Sequence, residues 1–128
     1  MIHLDGSVID IMLAKRWMPK GTPAISAVAY AEAIRSAFLK PNHELLIAKA
    51  KAVREIPPDR IFVFDQEAAE ILCELSPRRT GGQHSRDLMI AAVAMAKNAP
   101  LATNDRRLAA LAGSVVTGYD PLEIIYVE

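Results

Sequence analysis

Short, continuously apolar stretches alternate along the chain with longer segments in which apolar residues recur at helical spacing. Stretches that are apolar on both faces are typical of strands buried inside a parallel sheet. The clearest is residues 61–64, because its β-branched and aromatic side chains follow turn-forming residues. The pattern predicts strands over residues 2–4, 24–26, 61–64, 101–103, 115–117 and 124–127.

Helical periodicity occupies the segments between these strands, and the segments carry the expected start and stop residues. Ser26 and Asp65 precede two helices and can cap them, whereas prolines and Asn98 follow others. The helix that opens at Asp87 is apolar on all sides, so we expect the rest of the molecule to cover it. The predicted helices cover residues 7–14, 27–39, 43–56, 66–75, 87–97 and 106–111.

Strands that alternate with helices predict an α/β fold in which helices cover both faces of a parallel sheet. The 128 residues fit one domain spanning residues 1–128, and 52% of them are hydrophobic, which is enough to fill its core. Fifteen basic and fifteen acidic residues cancel, so only a local basic patch could attract nucleic acid. The single cysteine, Cys73, cannot form an internal disulfide, and we expect it to be a small core residue.

We expect neither a targeting segment nor a membrane-spanning one. The first ten residues include Asp5 and Asp10 and lack the basic start of a signal peptide. The longest apolar run, residues 88–96, has nine residues, whereas a membrane-spanning helix needs about 20. We therefore expect a soluble protein of a reducing compartment, the cytoplasm, with no membrane partner.

Four acidic residues lie where separate apolar stretches end or turn: Asp5, Glu32, Asp87 and Asp105. They are 27, 55 and 18 residues apart, so only folding could bring them together. A carboxylate beside an apolar stretch is costly unless it is paired, and several that converge require a cation. Carboxylates select hard divalent metals such as Mg²⁺. Taken singly, the aspartates could instead be helix caps and Glu32 a solvated helix residue.

Four short motifs carry these acids. They read Asp-Gly-Ser-Val-Ile from Asp5, Ala-Glu-Ala-Ile around Glu32, Arg-Asp-Leu-Met-Ile-Ala-Ala around Asp87 and Thr-Asn-Asp-Arg-Arg-Leu around Asp105. Their order and separations resemble the PIN domain, specifically the VapC-like toxin ribonucleases. The resemblance implies a three-layer α/β/α fold with a central parallel sheet of about five strands. It also implies a metal-dependent endoribonuclease, the toxin of a toxin–antitoxin pair, with Mg²⁺ or Mn²⁺ as cofactor.

The resemblance also assigns roles to the acids. Asp5 and Asp87 are similar to the family residues closest to the metal. Glu32 is similar to a residue that helps to hold the metal or orients the attacking water. Asp105 is similar to one that binds a second ion or a water. Chemistry of this kind activates a water and stabilises charge on the phosphate, both of which phosphodiester hydrolysis requires.

Neighbouring polar and basic residues are candidates for supporting roles. Ser7 and Asn104 are expected to hydrogen-bond to the carboxylates, although ordinary turn chemistry explains them equally well. Arg78, Arg79 and Arg86 lie in or beside the segment before the third motif and are candidates to contact RNA phosphates. The alternative for these arginines is a solvated loop.

The family resemblance implies an RNA substrate, a homodimer and a cognate antitoxin protein that covers the site. Gly6 stands where the family usually has Thr or Ser after the first aspartate. This departure keeps open a catalytically weak or inactive PIN-like binding protein. A phosphoacceptor domain of the receiver type ranks last, because it needs two adjacent acids after the first strand and a lysine after a late one.

Overall fold

The centre of the protein is a parallel sheet, seen in a computed structural model that describes residues 1–78 and 82–128. Its strands are β1 (Ile2–Leu4), β2 (Pro23–Ser26), β3 (Ile61–Phe62), β4 (Leu101–Thr103) and β5 (Ile124–Tyr126). In this part of the chain the five strands lie in the order β3-β2-β1-β4-β5, and all four pairings are parallel. The predicted α/β fold with a parallel sheet of about five strands is confirmed.

Helices fill the connections between the strands. The described residues form α1 (Gly6–Leu13), α2 (Ala27–Leu39), α3 (Glu44–Arg54), α4 (Gln66–Leu75), α5 (Ser85–Ala96) and α6 (Arg106–Ala109). Two short 3₁₀ turns cover Pro58–Arg60 and Ser76–Arg78. Helix α5 begins two residues earlier than the apolar pattern predicts, because the backbone N–H of His84 donates to Asp87 Oδ2 at 3.1 Å and closes the first turn.

Local hydrogen bonds explain where several helices begin and end. Ser26 Oγ accepts from Ala29 N at 3.1 Å, and Asp65 Oδ1 accepts from Ala68 N at 3.0 Å, so both predicted caps are confirmed. Helix α5 ends at Ala96, and Asn98, two residues further on, adopts a left-handed conformation with φ of 52°. A residue in this conformation turns the chain away from the helix axis, which is why the apolar run stops there.

Two predicted strands differ from the structure by more than one residue. Residues 115–117 are not a strand, because the chain there closes a loop in which Leu122 N donates to Ser114 O and Gly113 N donates to Leu122 O. Strand β3 ends at Phe62 rather than at residue 64, and the next residue, Val63, is 64% exposed. In both cases apolar residues that the pattern assigns to a strand are not paired in the sheet.

The prediction that Cys73 is a core residue is wrong, because its side chain is exposed. Helix α4 turns Ala68, Ile71 and Leu75 inward, and all three are buried. Cys73 lies between Ile71 and Leu75 in sequence but on the opposite face of the helix, as a spacing of two residues requires. The apolar neighbours of the cysteine in sequence are therefore not its neighbours in the fold.

Buried side chains cover both faces of the sheet. Alternate residues of a strand point to opposite faces, and in β4 Leu101 belongs to the larger apolar cluster whereas Ala102 belongs to the smaller one. Helix α5 contributes an almost continuous run of buried residues to the larger cluster, as its apolar pattern predicts. The predicted three-layer arrangement follows from this division of the core.

The chain order places the carboxyl ends of β1 and β4 side by side. Successive strands run outward from β1 to β2 and β3, and the chain then returns to the other side of β1 to form β4 and β5. Ligands of parallel α/β sheets bind at such a reversal of strand order. Asp5 follows β1 and Asp105 follows β4, so this edge is where a site is expected. Among the described helices, none is long and apolar enough to cross a membrane.

Candidate metal centre at the carboxyl edge of the sheet

A cavity of about 270 Å³ opens at this edge of the sheet, and it brings together residues from several elements of the chain. The four predicted acids all line it: Asp5, Glu32, Asp87 and Asp105. Lys49 and Arg86 add two positive charges to the same cavity. Folding therefore gathers the residues that the sequence keeps far apart.

Asp5 is held by two hydroxyl groups. Ser7 Oγ donates to Asp5 Oδ2 at 2.6 Å, and Thr103 Oγ1 donates to the same oxygen at 2.8 Å. Within residues 1–78 and 82–128, no hydrogen bond involves the other oxygen, Oδ1. The carboxylate is thus oriented through one oxygen and has the second available for a ligand, the arrangement by which neighbouring groups orient metal-binding carboxylates.

Asp87 and Asp105 also have one carboxylate oxygen held by a hydrogen bond, in both cases at the start of a helix. Asp87 is 7% exposed, and its Oδ2 accepts from His84 N at 3.1 Å. Asp105 caps α6, and its Oδ1 accepts from Arg107 N at 2.9 Å. Each cap engages one carboxylate oxygen, and in the described part of the chain the other oxygen accepts no hydrogen bond. Capping and metal binding, which the sequence presents as alternatives, are compatible at both positions.

Thr103 connects two of the acids. Its hydroxyl donates to Asp5 and accepts from the backbone N–H of Asp105 at 2.9 Å. Ser7 makes the parallel connection, because its Oγ accepts from Asn104 N at 2.9 Å. The side-chain amide of Asn104 donates to Val127 O, and it makes no bond to a carboxylate among the described residues. Thr103 was not singled out from the sequence, although a hydroxyl at the buried end of an apolar strand was the signal.

Glu32 is paired with a cation of the protein itself. Arg86 Nε lies 3.2 Å from Glu32 Oε1, at ion-pair distance. The atom Oε1 is nevertheless buried and accepts no hydrogen bond from the described residues, so the guanidinium is close to the carboxylate without pointing an N–H at it. Because both side chains are substantially exposed, we expect this pair to add little stability.

The electrostatics of the cavity act on the same carboxyl group. Burial raises the pKa of Glu32 above its ordinary value, and the nearby charge of Arg86 opposes the rise. The carboxylates of Asp5 and Asp87 raise the pKa of Glu32 further, because like charges disfavour ionisation. The acids are therefore close enough to repel one another, as a cation-binding site requires.

The fit to a divalent metal has two parts. The donor set consists of carboxylate and hydroxyl oxygens, the ligands that Mg²⁺ and Mn²⁺ prefer. In the described residues, however, no group of three or more His, Cys, Asp or Glu side chains is arranged to hold a metal ion. The chemistry of the donors fits a divalent metal, and Glu32 is paired with Arg86 instead.

The predicted basic contacts are only partly described. Arg86 reaches the cavity. Arg78 ends a 3₁₀ turn, where only its backbone is described, and Arg79 lies outside the described residues. Lys49 lines the cavity from α3 and was missed. Its signal was a lysine within the apolar stripe of that helix, between Leu46 and Val53 in sequence.

Comparisons with known proteins agree with this geometry. Residues 3–114 match the family model of the PIN domain. The structure is similar to VapBC-5 of the VapBC family of toxin-antitoxin systems from Mycobacterium tuberculosis, with 29% identity, a TM-score of 0.72 and coverage of 98% of this chain and 97% of that chain.

Two more distant structures share the fold. FitAcB from Neisseria gonorrhoeae is 21% identical, with a TM-score of 0.65 and coverage of 84% of this chain and 90% of that one. VapBC2 from Rickettsia felis, bound to a DNA fragment from its promoter, is 22% identical, with a TM-score of 0.64 and full coverage of both chains, 100% each. No curated protein matches by sequence. Since the family model spans most of its length, the chain belongs to the PIN domain family.

Proposed function

We propose that this protein is a metal-dependent endoribonuclease and the toxin of a toxin–antitoxin pair. One observation carries the proposal: Asp5, Asp87 and Asp105 come from three separate elements and line one cavity, and among the described residues each has one oxygen held by hydrogen bonds and the other without any. Membership of the PIN domain family supports it, as does the similarity to a VapBC toxin-antitoxin structure.

In the proposed mechanism, Asp5 and Asp87 would hold Mg²⁺ or Mn²⁺, and Asp105 would hold a second ion or a water. The metal, when bound, would supply Lewis-acid stabilisation of the phosphate and lower the pKa of water. Glu32 orients the attacking water and accepts its proton, a role that its raised pKa supports. Ser7 and Thr103 keep Asp5 oriented, because their hydroxyls both donate to its Oδ2.

Cleavage of a single-stranded RNA tests the proposal, with Mg²⁺, with Mn²⁺ and with EDTA. We expect cleavage that requires the metal and falls by at least about a hundredfold in Asp5→Asn, because this change removes a metal-binding charge. Asp65→Asn is the matched control, since Asn caps a helix as well as Asp does and Asp65 caps α4, outside the cavity lining. Cleavage in EDTA, or full activity of Asp5→Asn, would falsify the proposal.

The alternative of a PIN-like protein that only binds is favoured by one observation. The described acids do not yet converge on an ion, and Arg86 is paired with Glu32. The second argument for this alternative is that Gly6 lacks a hydroxyl. That argument is weakened, because Ser7 and Thr103 already donate hydrogen bonds to Asp5. Calorimetry with Mn²⁺ separates the two functions: binding that is lost in Asp5→Asn supports the nuclease, and no binding at millimolar Mn²⁺ supports the alternative.

The proposed partners are an RNA substrate, a cognate antitoxin and a second copy of the chain. The structural neighbours named above include proteins of toxin-antitoxin systems, which supports the antitoxin. Light scattering of the purified protein tests the homodimer, for which we expect twice the chain mass of 14.0 kDa. A mass of one chain at micromolar concentration would contradict it.

A further inference from the structure

Lys49 is a lysine on the inward stripe of a helix. Helix α3 buries Ala50 and Val53, and the Lys49 side chain beside them is only 15% exposed. Its ammonium group faces the cavity that contains the four acids. A charged side chain in such a position needs a partner, because an unpaired buried charge is costly.

The partner that Lys49 has in the protein holds it weakly. Lys49 Nζ lies 3.4 Å from Asp10 Oδ1 and 3.5 Å from Asp10 Oδ2, at the long end of ion-pair contacts. Asp10 Oδ1 is buried and accepts no hydrogen bond from the described residues. The Asp10 side chain is 42% exposed, so water screens the pair. The ammonium group is therefore free to exchange this partner for another anion.

Gly6 leaves room for the ammonium group. A β-carbon at Gly6 would lie 3.5 Å from Lys49 Nζ and 3.6 Å from its Cε, which is ordinary contact. A threonine would add a hydroxyl and a methyl group to that β-carbon. The ammonium group of Lys49 thus lies close to the backbone of Gly6, and Asp5 and Ser7 on either side of this glycine line the same cavity.

We propose that Lys49 binds a phosphate of the RNA substrate at the mouth of this cavity, so that Lys49 and the carboxylates act on the same backbone. The inference rests on the proposed function. A cavity with four carboxylates repels a phosphodiester, and the protein has no net charge to offset the repulsion. Lysine binds phosphate as a compact charge with three donors, and Lys49 needs only to leave Asp10 to do so.

Fluorescence anisotropy with a labelled single-stranded RNA in EDTA measures this contact without requiring cleavage. We expect Lys49→Met to weaken binding about tenfold and to reduce the slope of log affinity against log salt by about 0.7, the value for one phosphate of a single strand. Lys51→Met is the matched control, because Lys51 is exposed on the same helix and lies outside the cavity lining. Lys49→Arg should retain most of the affinity.

Asp10→Asn separates phosphate binding from a purely structural ion pair. The inference expects Asp10→Asn to bind RNA as tightly as the wild type or more tightly, because Lys49 is released. Equal losses in Asp10→Asn and Lys49→Met would mean that the pair only supports the packing of α1 on α3, and would overturn the inference. Lys49→Gln serves in place of Lys49→Met if circular dichroism shows that the methionine variant is unfolded.

The remaining outcomes distinguish this inference from the proposed function. If the wild type binds RNA through Lys49 but does not cleave it with Mg²⁺ or Mn²⁺, the ribonuclease proposal fails and the phosphate contact stands. If the wild type cleaves RNA and Lys49→Met binds and cleaves like the wild type, the phosphate contact fails and the ribonuclease proposal stands. If the wild type binds RNA neither in EDTA nor with metal, the proposed phosphate contact is overturned.

Discussion

Two sides of the cavity are held in different ways. The strand side consists of Asp5, Ser7 and Asp105, just beyond the ends of β1 and β4, and of Thr103, which is bonded to them. Hydrogen bonds of 2.6 to 3.3 Å connect these four residues. The helix side, formed by Glu32, Lys49 and Arg86 of α2, α3 and α5, is connected by ion pairs: Arg86 lies 3.2 Å from Glu32 and Lys49 lies 3.4 Å from Asp10.

The difference separates what is fixed before binding from what can be exchanged. Breaking a hydrogen bond of a buried group leaves that group unsatisfied and costs free energy, so the strand side orients its carboxylates in advance. Ion pairs that water reaches contribute little to stability, so on the helix side Glu32 can exchange Arg86, and Lys49 can exchange Asp10, for another partner. Catalytic sites benefit from such a division, because prearranged groups require no reorganisation during the reaction.

The largest expected effect concerns β1, the strand that leads to Asp5 on the strand side of the cavity. His3 of β1 is 1% exposed and stacks on Phe62 with a ring separation of 5.4 Å. Neither ring nitrogen has a hydrogen-bond partner among the described residues. Burial is the main reason that the pKa of His3 falls from 6.5 to about 4, with smaller contributions from the positive charges of Lys97 and the amino terminus.

The sign of the resulting pH dependence follows from linkage. Between pH 4 and 6.5 the unfolded chain binds a proton at His3 and the folded chain does not, so the free energy of unfolding decreases as the pH falls through this range. Over the whole range, the free energy of unfolding should decrease by about 3 kcal/mol. Urea unfolding from pH 7 to pH 4 checks it. In His3→Phe this pH-dependent part of the free energy of unfolding should vanish, whereas in the control His43→Asn it should persist. Identical pH profiles for His3→Phe and the wild type would refute the prediction.

The next effect tests the hydroxyl that joins two acids. Thr103→Val keeps the shape of the side chain but removes the donor to Asp5 and the acceptor for Asp105 N. We expect a loss of about 1–3 kcal/mol in the free energy of unfolding and about 10- to 100-fold weaker Mn²⁺ binding by calorimetry. Thr22→Val is the control, because Thr22 is exposed and lies outside the cavity lining. Unchanged metal affinity in Thr103→Val would mean that the strand side is not prearranged for a metal.

A smaller effect of opposite sign is expected on the helix side. Arg86→Met removes the cation that is paired with Glu32, so a metal no longer competes with it. We expect Mn²⁺ to bind about two- to fivefold more tightly, the equivalent of an exposed ion pair. Stability should change by less than about 0.5 kcal/mol. Arg35→Met controls for loss of one positive charge, since Arg35 is exposed on α2 and lies outside the cavity lining. Weaker Mn²⁺ binding in Arg86→Met would show that Arg86 supports the site.

The sequence predicts the strand side better than the helix side, for a physical reason. Asp5 and Asp105 directly follow apolar strands, and strand ends meet at one edge of a parallel sheet whatever the helices do. The positions of Lys49 and Arg86 depend instead on how α3 and α5 pack, which periodicity alone does not determine. The same limit explains Cys73, whose side chain is exposed, and residues 115–117, which have the apolar pattern of a strand but do not form one.

The smallest expected effect concerns the residue where the two sides meet. Gly6 is the first residue of α1 and does not have a positive φ, so other residues fit its backbone. Gly6→Ala should raise stability by up to about 1 kcal/mol, because it reduces the freedom of the unfolded chain. The alanine β-carbon makes only ordinary contact with Lys49. Gly6→Thr adds atoms beside the ammonium group, so we expect it to bind single-stranded RNA about threefold more weakly than Gly6→Ala in the anisotropy measurement.

If the hydroxyl at this position instead serves the metal, the threonine variant will bind Mn²⁺ more tightly than the alanine variant and RNA equally well. That result would mean that the strand side is incomplete without the hydroxyl, because the donors from Ser7 and Thr103 would not be sufficient to orient Asp5. Weaker RNA binding by the threonine variant, with unchanged Mn²⁺ affinity, would mean that the hydroxyl is not needed for the metal. The strand side would then be complete, and Gly6 would serve the helix side by leaving space for Lys49.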